Sequence, residues 1–134
     1  MKTKTEQFKR GLDYPNEGFI QNAVEKYFDS LGYEQINVKY IDYVGINTQT
    51  EEKWVIEAKG KTTEVGLDFR TCLGQLIQRM DDRGANYGIA LPETLEYKEQ
   101  CHMMKKWVVE LLKINWLFVD GNMRVRLVRP GEKV

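Results

Sequence analysis

The spacing of apolar positions changes several times along the chain, and each change predicts a new element. In residues 18–31 apolar side chains recur every three or four positions, which is typical of a helix with one buried face. Residues 36–46 are rich in β-branched and aromatic side chains, and a polar turn at 47–52 separates them from a similar stretch at 54–59. We predict two or three strands in a meander.

The second half of the chain alternates helical and extended patterns. Helical spacing returns at 67–82 and again at 95–113, and a short apolar run at 87–91 lies between them. A strand at 116–119 is followed by an Asp-Gly-Asn turn into a last strand at 123–128. The predicted fold class is therefore α/β, a mixed β-sheet flanked by helices with a C-terminal β-hairpin.

Length and composition limit the number of domains and the kinds of partner. The chain has 134 residues, 42% of them hydrophobic, which is enough for one core, so we expect a polar segment at 1–17 and a single domain at 18–134. The 20 basic and 20 acidic residues cancel, so a nucleic-acid surface must be a local patch. Neither a signal peptide nor a membrane-spanning run is visible, so we expect a cytoplasmic protein with no membrane partner.

The strand at 54–59 carries two charged residues that its apolar neighbours do not explain. Glu57 and Lys59 are two positions apart and share one face of the strand, where burial is costly unless the charges are paired or used. Asp42, on the preceding strand, converges with Glu57 if the turn between the strands is tight. Two carboxylates suit Mg²⁺, and a lysine beside them can orient water and offset charge on phosphorus. The three residues predict phosphodiester hydrolysis.

These residues, in this order of elements, resemble the PD-(D/E)xK nucleases, the restriction-endonuclease-like family. Asp42 matches the first acid of that family's motif, and Glu57, Ala58 and Lys59 match its (D/E)xK triplet. The resemblance implies Mg²⁺, or Mn²⁺ in its place, held by Asp42, Glu57 and the Ala58 carbonyl. It also implies Lys59 as the catalytic lysine and nucleic acid, DNA in particular, as the substrate. Ile41 stands where the family often has proline.

Two further catalytic candidates come from the resemblance. A glutamine matching Gln75 lies close to the metal in some branches of the family, and a glutamate matching Glu25 on the first helix is associated with it in others. Arg79 follows Gln75 by one helical turn, on the same flank, where it can hold a phosphate. Together with Arg70 and Lys61, it makes up the expected nucleic-acid-binding set.

Several alternatives stay open at this stage. The charged residues could form an exposed pair on a wet sheet face, or the fold could serve as a catalytically silent nucleic-acid-binding or assembly module. Three arginines on the last strand could form a phosphate-contacting ribbon. Trp107 and Trp116 lie in apolar patterns and are expected in the core rather than as stacking platforms. Cutting both strands of a duplex favours a homodimer, and DNA is not separated from RNA.

Overall fold

A computed structural model describes residues 11–134. The predicted polar segment at 1–17 therefore lies partly outside the described residues. The helices are α1 (Glu17–Ser30), α2 (Val65–Gln78), α3 (Leu95–Met103) and α4 (Lys106–Leu112). The strands are β1 (Tyr33–Gln35), β2 (Tyr43–Asn47), β3 (Lys53–Ala58), β4 (Asn86–Pro92), β5 (Ile114–Val119) and β6 (Val125–Val128).

The six strands form one mixed sheet in which their order in space follows their order in sequence. β1, β2 and β3 are an antiparallel meander, β3, β4 and β5 run parallel, and β6 returns antiparallel to β5 as the terminal hairpin. The parallel pairs require crossover connections, which α2 supplies between β3 and β4 and α3 with α4 supply between β4 and β5. The predicted fold class is confirmed.

Both faces of the sheet are covered by helices. On one face α1 packs through Phe28, whose ring stacks on that of Tyr43 with centroids 5.0 Å apart. On the other face Phe69 and Leu76 of α2 pack with Trp116 of β5. A charged side chain near the end of β3 therefore faces a helix instead of open water, and the expectation of a wet sheet face does not hold for Glu57.

The helical stripe predicted across 95–113 was wrong in two respects. The segment forms two helices, because Met104 and Lys105 are extended. A continuous helix that buried Tyr97 and Cys101 would next turn Lys105 inward, whereas the break lets Val109 enter the core. Trp107 is 68% exposed, so its predicted burial was wrong.

The predicted meander is present with three strands, but its first strand, β1, precedes the strand-rich stretch at 36–46. Within that stretch only β2, from Tyr43, is a strand, and residues 36–41 form a loop in which Ile36 and Val38 are exposed. The Ile36 N–H still donates to the Val44 carbonyl at 2.8 Å, and the pairing with β2 ends there, so the β-propensity of Val38 does not produce a strand. Among residues 11–134, no helix is long and apolar enough to cross a membrane.

The end of β3 is fixed against the start of α1 by a close approach at Gly60. A side chain at Gly60 would overlap the main chain of Glu17 and come within 2.9 Å of the Pro15 carbonyl. The Lys61 N–H donates to that same carbonyl at 2.9 Å, and the Tyr97 hydroxyl donates to the Gly60 carbonyl at 2.7 Å. The segment that follows Glu57 is thereby held on both sides, which a preorganised site requires.

Candidate active site

Asp42 and Glu57 meet where β2 and β3 begin to separate. Tyr43 pairs with Ile56, so one step further along the two strands Asp42 faces Glu57. Tyr43 packs on the α1 side, and alternation along the strand directs Asp42 to the α2 side, which Glu57 also occupies. Beyond the last paired residues, a side chain makes the contact between the two strands: Asp42 Oδ2 accepts a hydrogen bond from the Ala58 N–H at 2.8 Å. The predicted convergence of the two acids is thus present in the geometry.

The oxygen atoms gathered here fit a hard cation. Glu57 is 3% exposed, and its Oε1 is buried without a hydrogen-bond partner. The N–H and C=O of a strand residue point to the same side, so the Ala58 carbonyl faces the side on which its N–H meets Asp42. Two carboxylates and one carbonyl suit Mg²⁺, which binds through few protein oxygens and retains waters. Among residues 11–134, no group of three or more His, Cys, Asp and Glu side chains forms a richer metal site.

The acid pair is strongly coupled electrostatically. Burial is the largest cause that raises the pKa of Glu57, and the charge of Asp42 and a hydrogen bond with it add to the effect, so that the pKa is about 8 against an ordinary value of 4.5. Arg79 opposes the shift. A proton therefore competes with a metal ion for the Glu57 carboxyl, and this competition weakens as the pH rises.

Arg79 directs its charge inward to the acids. It caps the end of α2, with Nε 3.4 Å from Glu57 Oε1 and an Nη atom donating to the Tyr40 carbonyl at 3.1 Å. The buried Nε and Oε1 atoms form no aligned hydrogen bond, so their attraction is one of charge. The sequence predicted that Arg79 contacts a phosphate, whereas in the structure its guanidinium contacts the carboxylate of Glu57.

Replacing Arg79 with alanine should tighten the binding of divalent metal several-fold. The guanidinium competes for the Glu57 carboxylate, and its removal takes one positive charge away from the acid pair. Isothermal titration with Mg²⁺ at pH 9, where proton competition is weakest, measures the change. Arg79→Lys should fall between the parent and Arg79→Ala, and Arg83→Ala, an exposed arginine nearby in sequence, should match the parent. Weaker metal binding in Arg79→Ala would show that Arg79 supports the site.

Lys59 follows directly on β3 and keeps its register, because its N–H donates to the Ala90 carbonyl at 3.0 Å. It lies on the same face as Glu57, is half-buried, and forms no ion pair within 4.0 Å among residues 11–134. Burial raises the pKa of the Cys72 thiol on α2, Glu57 and Asp42 raise it further, and Lys59 lowers it. Glu57, Asp42 and Lys59 are therefore all close enough to Cys72 to influence its pKa, which places the three charges on the α2 side of the sheet. The ammonium group of Lys59 is available to a reacting group.

The first helix reaches the site through a residue that the sequence did not single out. Gln21 is buried on α1, and its side-chain amide donates to the main-chain carbonyl of Asp42 and, at 3.2 Å, to Glu25 Oε2. Glu25 also accepts a hydrogen bond from Gln35 at 3.0 Å. The predicted Glu25 thus reaches Asp42 through Gln21. The sequence signal for Gln21 was its position next to Ile20, since a polar residue beside the buried stripe of α1 needs a hydrogen-bond partner.

The remaining predicted residues lie around the site. Gln75 is exposed on α2, one turn before Arg79. Arg70 is exposed on the same helix, with its guanidinium beside Gly66. Lys61 forms an ion pair with Glu96 at 3.0 Å. The structure brings together Asp42, Glu57, Ala58 and Arg79, with Lys59 beside them.

Two solved structures share this fold. An XisH family protein from Nostoc punctiforme PCC 73102 superposes with a TM-score of 0.56 at 16% identity, over 81% of this chain and 98% of its own. A fdxN element excision controlling factor protein from Anabaena variabilis superposes with a TM-score of 0.57 at 16% identity, over 84% of this chain and 98% of its own. No protein-family model and no curated protein matches the sequence. At this level of identity the two structures show a common fold.

Proposed function

We propose that this protein is a metal-dependent nuclease of the PD-(D/E)xK type that hydrolyses phosphodiester bonds in DNA. The observation that carries the proposal is the meeting of Asp42 with a buried Glu57 whose Oε1 has no hydrogen-bond partner. Burying the Glu57 carboxyl next to a second acid costs free energy, since it leaves water and meets a like charge, and a bound cation would offset that cost. Lys59, unpaired on the same face within the described chain, supplies the third group of the motif.

Each residue has a distinct part in the proposed reaction. Asp42, Glu57 and the Ala58 carbonyl would hold Mg²⁺, or Mn²⁺ in its place. Such an ion, when bound, would supply positive charge to the phosphate oxygens and Lewis acidity to the attacking water. The Lys59 ammonium donates a hydrogen bond to the attacking water, orients it, and offsets negative charge as it develops on phosphorus. The burial of Glu57 excludes bulk water, which strengthens these interactions.

The choice of DNA as substrate draws on one of the structural neighbours. The Anabaena protein is an excision controlling factor for an element, and excision of an element is an operation on DNA. A cut through both strands of a duplex needs two sites, so a homodimer suits a double-strand endonuclease.

A silent module on the same fold is the second candidate, and Arg79 is the observation that favours it. The guanidinium 3.4 Å from Glu57 supplies a positive charge to the acids from within the chain. A site balanced in this way can be stable without metal and serve only to bind nucleic acid or a partner.

A substrate panel tests the proposal. Purified protein is incubated with duplex, branched and single-stranded DNA and with RNA, in Mg²⁺, Mn²⁺ or a chelator, beside the matched variant Asp42→Asn. Metal-dependent cutting that disappears in chelator and in Asp42→Asn is the expected result. Binding to nucleic acid without cutting, under every metal, would overturn the nuclease and favour the silent module.

A further inference from the structure

The loop at 36–41, between β1 and β2, presents an exposed aromatic ring on a residue close to Asp42 in sequence. Tyr40 is 76% exposed and precedes Asp42 by two residues. Two residues of chain span at most about 7 Å, so the main chain of Tyr40 lies within about 7 Å of that of Asp42. Ile36 and Val38 on the same loop are also exposed.

The main chain of Tyr40 is held in a conformation that a bulky residue seldom adopts. Its φ is 70°, in the left-handed region, which is unfavourable for an L-residue with a large side chain. Its carbonyl accepts the hydrogen bond from Arg79, which is also the cation paired with Glu57. The side chain of Arg79 therefore links the acid pair to the main chain of Tyr40. This contact stabilises a backbone conformation that is unfavourable for Tyr40 in an isolated loop.

The chemistry around the ring matches a nucleotide. Lys39 Nζ lies 5.0 Å from the centroid of the Tyr40 ring, which brings a positive charge to an aromatic face. An aromatic ring stacks on a base while a neighbouring cation attracts its phosphate, and this combination binds single-stranded nucleic acid. In a continuous duplex both faces of each base are already stacked, so a protruding tyrosine finds a partner only where a base is unpaired or splayed out.

We propose that Tyr40 stacks on an unpaired base adjacent to the phosphate that is cut, and that the protein therefore selects single-stranded or splayed DNA over continuous duplex. The inference rests on the proposed nuclease function for the position of that phosphate. Tyr40 helps to bind and position the DNA strand, and the positive charge of Lys39 attracts its phosphates. Trp107 is also exposed, but it lies on the helix leading into β5, two strands away from β3, and has no link to the acids.

Fluorescence anisotropy with a labelled 12-nucleotide single strand and its duplex, in chelator so that nothing is cut, tests the preference. The parent should bind the single strand more tightly than the duplex. Tyr40→Ala should weaken single-strand binding about tenfold and leave duplex binding unchanged, since stacking of a base on an aromatic side chain contributes strongly to single-strand binding. Tyr40→Phe keeps the ring and should bind within about twofold of the parent. Trp107→Ala, an equally exposed aromatic, should match the parent.

A second readout reports stacking itself. A strand containing 2-aminopurine should lose fluorescence on binding to the parent and to Tyr40→Phe, and retain it with Tyr40→Ala. Equal single-strand affinity in Tyr40→Ala and the parent would overturn the inference while leaving the nuclease proposal intact. Tyr40-dependent binding by a protein that cuts nothing would support the stacking and the single-strand preference, and would overturn both the nuclease and the placement of the stacked base next to a phosphate that is cut. Absence of any nucleic-acid binding would overturn both.

Discussion

Replacement of Lys59 with alanine is expected to lower the rate of cleavage by about 100-fold or more and to leave metal affinity unchanged or slightly higher. The ammonium acts on the water and on charge that develops only in the transition state, so its loss falls on kcat. Its removal also takes a positive charge away from the acids, which favours metal binding. Single-turnover cleavage and Mn²⁺ titration of the same preparation separate the two effects.

Lys53→Ala is the matched control for Lys59→Ala. Lys53 is a half-exposed lysine at the other end of β3, paired with Asp82 at 3.8 Å, so its replacement makes the same change in charge away from Glu57. It should cleave within about twofold of the parent. If Lys59→Ala cleaves as fast as Lys53→Ala, the assigned role of Lys59 is wrong.

Glu57→Gln should stabilise the metal-free protein at alkaline pH. Below pH 4.5 the carboxyl is protonated in both folded and unfolded chains, whereas between 4.5 and about 8 only the folded form keeps the proton because its pKa is raised. The stability contributed by Glu57 is therefore fully present at low pH and is lost as pH rises towards about 8. Glutamine cannot ionise and avoids this loss.

We expect the gain of Glu57→Gln over the parent to reach about 1–3 kcal/mol near pH 8.5, since one pKa unit corresponds to about 1.4 kcal/mol and the lost ion pair with Arg79 offsets part of the effect. Urea unfolding of both proteins in chelator, from pH 5 to 9, measures the difference. Glu52→Gln is a suitable control because the pKa of that exposed glutamate is lowered, chiefly by a hydrogen bond from Tyr33. A difference between Glu57→Gln and the parent that stays constant over the whole range would mean that Glu57 ionises in its ordinary range.

The fold was accessible from sequence because most of its elements bury a regular stripe. α1 carries Ile20, Val24 and Phe28 at helical spacing, and all three are buried. The interpretation of Glu57 and Lys59 as a pair on one face followed from strand alternation alone. The local spacing of apolar residues indicates which face of an element is buried. The site residue Glu57 lies on a strand whose buried faces this spacing reveals, so the site could be found in the same way.

Features that depend on contacts distant in sequence were not predictable in this way. Arg79 was expected to face a phosphate from the flank of α2. Its side chain instead reaches Glu57 because α2 ends at this residue. The left-handed conformation of Tyr40 has no sequence signal, since neither glycine nor asparagine occupies that position. Trp107 is apolar yet exposed because the break before α4 rotates that helix, and no glycine or proline marks the break.

Binding of Mn²⁺ measured by isothermal titration at pH 8.5 tests the central claim most directly, because it requires no knowledge of the substrate. The parent should bind the ion with a stoichiometry of about one per chain and should melt at a higher temperature when the ion is bound. Asp42→Asn should lose both effects, while Lys59→Ala should keep both. A parent protein that shows neither heat of binding nor a change in melting temperature at millimolar Mn²⁺ would contradict the assignment of Asp42 and Glu57 as a metal site.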